Sequence, residues 1–174
     1  FFPNWLTIVP LEIYDPIECI AFHAAPLPGM RGASPIQHQI LAGAEDTVLS
    51  AFRLVRGIDE GPVYLAEPLP LHGSAEEIYI RAARLAHRMM LLIIDRRLEA
   101  TEQRGESRTY KRRKPEESRL PDGLSLDQAY DRIRMVDCQE FPPAFIEQGG
   151  LRYEFRRASL RSGKLEANVV ITKR

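Results

Sequence analysis

The sequence has little of what a secreted, membrane-spanning or metal-binding protein needs. It has two cysteines among 174 residues, and Cys19 and Cys138 lack the paired spacing of a zinc site or a disulfide framework. Its longest apolar run, Met89 to Ile94, is far too short to cross a bilayer. The N-terminus has no basic segment of the kind that begins a signal peptide. We therefore expect a soluble, cytoplasmic protein with no metal site and no membrane partner.

An excess of either charge is also missing. The chain has 24 basic and 24 acidic residues, so no overall field draws it toward nucleic acid, and any polyanion would have to bind a local patch. The dense basic cluster, Lys111 to Lys114, suits either contact with a nucleotide diphosphate or a solvated connector. A stripe of Arg81, Arg84 and Arg88 is typical of a solvated helix face. These observations predict that the protein has no nucleic-acid partner.

The first part of the chain alternates short apolar runs with turn signals. Glu18 to Phe22 predicts a buried strand, and Ser34-Pro35 favours the N-cap and first residue of a helix through Ala42. Val48 to Val55 and Pro62 to Leu69 predict two more strands. The chain begins with Phe1-Phe2 and no Met, which suggests the end of a buried strand from which an N-terminal portion is absent.

The remainder of the chain predicts a long helix, a connector and a small appendage. Ser74 and Glu77 form a capping box before an amphipathic helix, and the composition turns charged from Glu99 to Arg119. A second capping box from Ser125 opens a helix to about Val136. Two alternating apolar runs then predict a β-hairpin with one buried face: Leu151, Tyr153 and Phe155, followed by Leu165, Ala167, Val169 and Ile171.

We therefore predict two parts. Residues 1–105 form an α/β domain, and residues 106–174 form a connector with a small C-terminal helix and β-hairpin appendage. At 174 residues with 44% hydrophobic content, the chain has room for one main core rather than two full domains.

Two polar residues follow predicted strands. His23 comes directly after a buried strand, at the end where open α/β sheets bind their ligands. Asp59 lies in a turn between two glycines, Gly57 and Gly61. Taken alone, each has an ordinary structural explanation: a histidine bonded within the core, and a carboxylate that caps a turn.

The context of these residues resembles a known family. The segment FHAAPLPGMRGASPIQHQILAG is similar to the signature of the formyltransferase superfamily, in which a histidine after a strand precedes Leu-Pro, Arg-Gly, a small residue and Pro. His23, Leu27-Pro28, Arg31-Gly32 and Ser34-Pro35 match this order, and Asp59-Glu60-Gly61 matches the family's Asp-x-Gly turn. Farther on, RTYKRRKPEES and IRMVDCQEFPPAFIE resemble the segment that follows the catalytic domain in sugar N-formyltransferases.

The resemblance implies a Rossmann-like formyltransferase catalytic domain from which the N-terminal strands are absent. It implies an enzyme that transfers a formyl group from 10-formyltetrahydrofolate to the amine of a nucleotide-linked amino sugar, with self-association left open. One alternative is a methionyl-tRNA formyltransferase-like enzyme, which would need a strong basic surface and a longer C-terminal barrel. Another is a non-catalytic binding protein derived from the same fold.

The resemblance also implies a role for individual residues. His23 would donate a hydrogen bond to the developing oxyanion, and Asp59 would orient the ring and accept the proton of the amine. The formyl donor would contact Asn4, Trp5, Gly57 and Ile58. The acceptor substrate would contact Arg31, Gly32 and Ser34, although Arg31 equally suits a residue that buttresses its loop.

One position departs from the family pattern. An asparagine usually lies two residues before the histidine and supplies a second oxyanion donor, but Ala21 occupies that position here. A methyl group cannot donate a hydrogen bond, and the loss of one such donor costs about a hundredfold or more in turnover. Asn4 is either a substitute donor or an ordinary turn residue.

Overall fold

The computed structural model of the protein describes residues 1–3, 5 and 7–173. Its elements are, in chain order, α1 (Leu11–Tyr14), β1 (Ile20–His23), β2 (Arg31–Gly32), α2 (Pro35–Leu41), β3 (Asp46–Arg53), β4 (Val63–Pro70), α3 (Ala75–Arg96), β5 (Thr109–Tyr110), a 3-10 helix (Pro115–Ser118), α4 (Leu126–Arg134), β6 (Ala144–Gln148), β7 (Leu151–Arg161) and β8 (Lys164–Lys173). No helix within the described residues is both long and apolar enough to pass through a membrane.

The first sheet has the order β1-β3-β4, and both of its strand pairs are antiparallel. The three predicted strands are confirmed to within a few residues, and so is the mixed α/β class. A Rossmann-like sheet is built from parallel strands, whereas the parallel contact of this sheet within the described residues is the single bridge between Phe2 and Ala21. Strand β1 ends at His23, which lies opposite Ser50 of β3. The sheet therefore delivers the histidine at a strand end, as expected.

Helix α3 covers this sheet and contributes much of the core. It begins with the predicted capping box, in which Ser74 and Glu77 each accept a hydrogen bond from the other's backbone N–H. Its buried face includes Ile78, Leu85 and Met89, which belong to one apolar cluster with residues of β3, β4, α2 and α4. The predicted long amphipathic helix is confirmed.

Helix α2 begins at Pro35 as predicted, but Ser34 does not cap it with its side chain. Ser34 has a left-handed backbone conformation, with φ of 56°, and its hydroxyl accepts a hydrogen bond from the backbone N–H of Arg113 at 3.2 Å. Because that hydroxyl serves the connector, it is not used for the free N–H groups of the helix. The serine thus joins the first part of the chain to the connector.

The predicted connector crosses back over the first part of the chain. Thr109 and Tyr110 form β5, which pairs in parallel with Arg31 and Gly32 of β2. The backbone N–H of Arg31 donates to the carbonyl of Arg108 at 2.9 Å. Strands of two residues carry too little periodicity to be predicted from sequence.

The C-terminal sheet has three strands in the order β6-β7-β8 rather than the two of the predicted hairpin. The missed strand β6 follows Pro142-Pro143, which reads as a break in the sequence. The prediction of one buried face is also wrong for β8, because Val169 and Ile171 are exposed. Helix α4 packs on β7 far more than on β8, so the outer part of this edge strand remains uncovered. Leu151, Tyr153 and Phe155 of β7 are half-buried.

Two side chains tie helix α4 to helix α2 and to the start of helix α3. Arg134 of α4 donates to the carbonyl of Gly73, just before α3, at 2.9 Å. Gln37 of α2 is fully buried and donates to the carbonyl of Met135 at 2.9 Å. Because both bonds are buried or partly buried and end on backbone carbonyls, they fix α4 against α2 and α3.

We predict that Gly32→Ala destabilises the protein by about 2 kcal/mol more than Gly105→Ala. Both glycines have a positive φ, of 96° and 109°, so alanine is strained at either position. A methyl group at position 32 would also collide with the carbonyl of Tyr110 across the β2-β5 pair, whereas position 105 is open. Urea unfolding of both variants measures the difference. Equal losses would show that the close approach of β5 to Gly32 contributes nothing.

Candidate active site

His23 is buried at the end of β1 and is held by one of its two ring nitrogens. Its side chain is 8% exposed, and Nε2 lies 2.9 Å from the carbonyl oxygen of Met30. A carbonyl oxygen can only accept a hydrogen bond, so Nε2 carries the hydrogen of this contact. The other ring nitrogen, Nδ1, is therefore the one left for chemistry.

Asp59 faces that second nitrogen. Its Oδ2 lies 3.6 Å from Nδ1 of His23 and accepts a hydrogen bond from the backbone N–H of Gly32 at 2.7 Å. The residue has a left-handed backbone conformation, with φ of 53°, in the turn between β3 and β4. The turn and the Gly32 N–H together direct the carboxylate toward the ring. The expected proximity of His23 and Asp59 is thus observed.

The surroundings favour neutral His23. Burial lowers the pKa of His23 below its ordinary value of 6.5, and the attraction of Asp59 and the hydrogen bond to Met30 oppose that shift. A neutral ring whose hydrogen is on Nε2 has a lone pair on Nδ1. At neutral pH the arrangement is suited to accept a proton at Nδ1 and to stabilise the resulting imidazolium by the adjacent carboxylate.

The pair lines a cavity of about 520 Å³. Most of its wall is apolar and includes Ala21, Ile36, Ala82 and Phe141, while His23 and Asp59 supply polar groups. Sites for small organic molecules have this size and this combination of apolar walls with a few polar groups. The cavity can therefore hold an organic ligand against the His23–Asp59 pair.

The residues predicted to contact the formyl donor are only partly brought together. Trp5 and Ile58 both line the cavity, and both are more than half exposed. The ring of Trp5 packs edge-on against Phe2, with the centroids 5.4 Å apart. Gly57 lies in the turn beside the side chain of Glu60, where an added methyl group would collide with that carboxylate. Asn4 lies outside the described residues.

The residues predicted to contact the acceptor are held largely by the protein itself. Gly32 and Ser34 line the cavity, and both also bond to other parts of the chain as described above. The guanidinium of Arg31 donates to Gln103 and forms an ion pair with Glu60 at 3.2 Å. These partners favour the buttressing alternative for Arg31.

Ala21 lines the cavity two residues before His23, at the position where the family pattern has an oxyanion donor. Its methyl group leaves the neighbouring wall apolar. An N–H on His23 Nδ1, once that atom has accepted a proton, is a donor that the described site itself can provide.

Three groups in or beside the site were not predicted from the sequence. They are the carbonyl of Met30, the amide of Gln103 and the side chain of Tyr79, which lines the cavity and stacks on Phe141 with the ring centroids 6.4 Å apart. Burial raises the pKa of the Tyr79 hydroxyl to about 12. The first two act through backbone contacts, which leave no pattern in a single sequence. The aromatic residue in the first turns of α3 was the one available signal.

Comparisons with known proteins agree on the family. The family model for the methionyl-tRNA formyltransferase C-terminal domain matches residues 115–172. The methionyl-tRNA formyltransferase of Thermus thermophilus is 31% identical over 169 residues, which are 94% of this chain and 55% of that protein. The enzyme of Alcanivorax borkumensis is 32% identical over 171 residues, with 51% of its length covered. The chain thus spans about half the length of the curated relatives that it matches.

Among solved structures, the methionyl-tRNA formyltransferase from Clostridium thermocellum has a TM-score of 0.96 and 40% sequence identity, covering 99% of this chain and 76% of its own. HypX from Aquifex aeolicus in complex with tetrahydrofolic acid has a TM-score of 0.66 at 16% identity, covering 92% and 30%. A Shewanella sugar N-formyltransferase has the same score and identity, covering 87% and 65%. Identities this low indicate a shared fold alone.

These findings confirm the superfamily and correct the expected branch within it. The Shewanella sugar enzyme is a distant structural neighbour, whereas the relatives named above at 31% to 40% identity are methionyl-tRNA formyltransferases. The expectation of no nucleic-acid partner is therefore wrong, and the methionyl-tRNA alternative is better supported than the expected sugar acceptor. Both expectations depended on a net charge of zero and on an Arg-rich segment, neither of which distinguishes the two branches. The chain belongs to the methionyl-tRNA formyltransferase family of the formyltransferase superfamily.

Proposed function

We propose that this protein transfers a formyl group from 10-formyltetrahydrofolate to the amino group of methionyl-tRNA. The observation that carries the proposal is the position of Nδ1 of buried His23, 3.6 Å from Asp59 on the wall of the cavity. Family membership supports the reaction class, and the similar proteins named for methionyl-tRNA support the acceptor.

The chain's own residues have a limited chemical task in this reaction. The folate supplies an activated formyl group and the amine is itself the nucleophile, so the protein must orient both and move a proton. Nδ1 of His23 accepts the proton that the amine loses as its nitrogen bonds to the formyl carbon. His23 then gives a proton to the folate nitrogen that is released when its bond to that carbon breaks. Asp59 stabilises the intervening imidazolium through its adjacent negative charge.

This sequence of steps revises the division of labour that the family resemblance implied. A direct hydrogen bond from neutral His23 to the oxyanion would need a hydrogen on Nδ1, whereas the contact with Met30 keeps it on Nε2. His23 therefore acts first as a base. Once protonated to imidazolium, it can donate a hydrogen bond to the oxyanion, which the methyl group of Ala21 cannot do. Asp59 acts on the ring rather than on the amine.

The cavity fits the folate by its size and its apolar walls. We propose that Trp5 and Ile58 contact the ring system of the donor, since both line the cavity with exposed apolar surface. Gly57 would keep the turn beside Ile58 compact, and Asn4 remains a proposed contact. Gly32 and Ser34 remain proposed contacts of the acceptor, because both line the same cavity.

The basic cluster suits a tRNA end despite the zero net charge. Lys111 and Arg112 follow β5 and line the cavity, so positive charge borders the same cavity as the reacting pair. Arg113, in the same cluster, forms an ion pair with Glu117 at 3.8 Å. Phosphates respond to nearby cations more than to the total charge, because surface fields decay within about 8 Å at physiological salt.

We further propose that residues 1–105 are the catalytic part and residues 106–174 are the connector and appendage. The match of the C-terminal-domain model to residues 115–172 supports this division. Because Lys111 and Arg112 lie on the connector and line the cavity, the second part also contributes to the proposed site.

We predict that His23→Ala lowers kcat for methionyl-tRNA formylation by about two to three orders of magnitude, with little change in KM, because it removes the proton acceptor. The assay follows formyl transfer from 10-formyltetrahydrofolate to methionyl-tRNA by the full-length protein. His87→Ala, at an exposed position of α3, is the matched control and should retain activity. Wild-type turnover in His23→Ala would contradict the proposal, and an inactive unmodified protein would favour the binding-protein alternative.

We predict that His23 titrates below pH 6.5 and that Asp59→Asn moves its pKa lower still. Burial disfavours the charged ring, and the negative charge of Asp59 works against that effect, so removal of the charge leaves burial less opposed. NMR titration of the assigned histidine resonances measures both values. An unchanged or raised His23 pKa in Asp59→Asn would show that the carboxylate does not act on the ring.

We predict that Lys111→Ala and Arg112→Ala each raise KM for methionyl-tRNA while leaving KM for the folate unchanged. Each lost phosphate contact should also reduce the salt dependence, with the log–log slope of tRNA affinity falling by about one. Steady-state kinetics over a range of salt concentrations measures both effects. Arg84→Ala, on the exposed face of α3, is the charge-matched control. Equal effects of all three substitutions would remove the proposed contact.

A further inference from the structure

We propose that Gln103 is a positioning residue that holds the carboxylate of Asp59 against His23. The inference rests on the proposed function, in which His23 moves the proton and Asp59 supports it. Gln103 lies in the charged segment from Glu99 to Arg119, 44 positions from Asp59 in the sequence. Nothing in the family pattern considered above includes it.

The side-chain amide of Gln103 uses all of its hydrogen-bonding capacity on the two segments that carry the site. Its Nε2 donates to the carbonyl of Asp59 at 2.8 Å and to the carbonyl of Gly61 at 2.7 Å. Its Oε1 accepts from Nε and Nη2 of Arg31, at 3.2 and 2.8 Å. A primary amide has two N–H donors and two acceptor positions, so every one of them is occupied.

These contacts hold Asp59 at both its backbone and its side chain. The carbonyl of Asp59 is held by Gln103, and its Oδ2 is held by the N–H of Gly32, the residue that follows Arg31. Gln103 also binds the Arg31 side chain, so one amide links the turn that carries Asp59 to the strand that donates to it. The 3.6 Å approach of Asp59 to Nδ1 of His23 depends on the relative position of these two segments.

The turn needs such support because Asp59 has a φ of 53°. Residues other than glycine adopt this left-handed conformation at a cost and keep it when surrounding contacts determine it. The two hydrogen bonds from Gln103 to the carbonyls of Asp59 and Gly61 are contacts of that kind. Without them the turn is free to relax, and the carboxylate moves away from the ring.

The geometry requires an amide at this position. A glutamate would keep the acceptor for Arg31 but would place an acceptor-only oxygen against the two carbonyls. A methionine of similar length would bond to neither segment. Gln103→Glu therefore breaks the Asp59 side of the link alone, and Gln103→Met breaks both sides without adding charge.

The test compares Gln103→Met and Gln103→Glu with Glu102→Gln, a change at the exposed neighbouring residue. We measure kcat and KM for formylation, and the pKa of His23 by NMR titration in Gln103→Met. We expect kcat to fall about ten- to a hundredfold in both Gln103 variants with KM for the folate little changed, because misplacement of a catalytic group acts on the reacting step. In Gln103→Met the His23 pKa should move lower, toward its value in Asp59→Asn. Glu102→Gln should resemble the unmodified protein.

Three results would overturn the inference. An unchanged His23 pKa in folded Gln103→Met would show that Asp59 has not moved. A wild-type kcat in Gln103→Glu beside a reduced one in Gln103→Met would show that Gln103 serves Arg31 alone. Unchanged kcat in both variants would exclude any effect on the reaction. If the unmodified protein does not formylate methionyl-tRNA, the proposed function fails, and the NMR titration still decides whether Gln103 positions Asp59.

Discussion

The hydrogen bond from Nε2 of His23 to the carbonyl of Met30 is the contact on which the chemistry of the site depends. It keeps the ring hydrogen on the side away from Asp59 and so leaves a lone pair on Nδ1. Burial makes the neutral ring the favoured form, and the carboxylate beside Nδ1 then stabilises the charge that proton transfer creates. Backbone at Met30, Gly32 and Asp59, rather than further charged side chains, maintains this arrangement.

The sequence predicted those features that depend on local patterns. Capping boxes and apolar periodicity predicted α3 and the strands of the first sheet, and the resemblance to the formyltransferase signature predicted the His23–Asp59 pair. Features that depend on distant pairing were missed: β5 is two residues long, β6 follows two prolines, and Gln103 acts on backbone carbonyls far away in the chain. The hydroxyl of Ser34 was expected to cap helix α2, yet it accepts a hydrogen bond from the distant backbone N–H of Arg113. The prediction of a buried face on β8 was wrong, because alternation indicates which side chains share a face but not whether another element covers that face.

The acceptor substrate illustrates a similar difference between composition and position. The net charge of the whole chain is zero, whereas the fold places Lys111 and Arg112 at the cavity that contains His23. A polyanion recognises the field at its own binding surface, which a sum over all residues conceals. The same holds for Arg31, whose charge suggests anion binding but whose partners are Gln103 and Glu60.

The parallel pairing of β2 with β5 has a consequence for how this protein can change during evolution. A linker between two units is ordinarily free to vary in length and composition, so that the units can be exchanged between proteins. Here the charged segment from Glu99 to Arg119 closes one side of the cavity with Thr109, Tyr110 and Lys111 and supports the Asp59 turn through Gln103. An exchange of the C-terminal part that removed this segment would dismantle the site in the N-terminal part. The two parts are therefore expected to be inherited together, with the segment between them among the slowest to diverge.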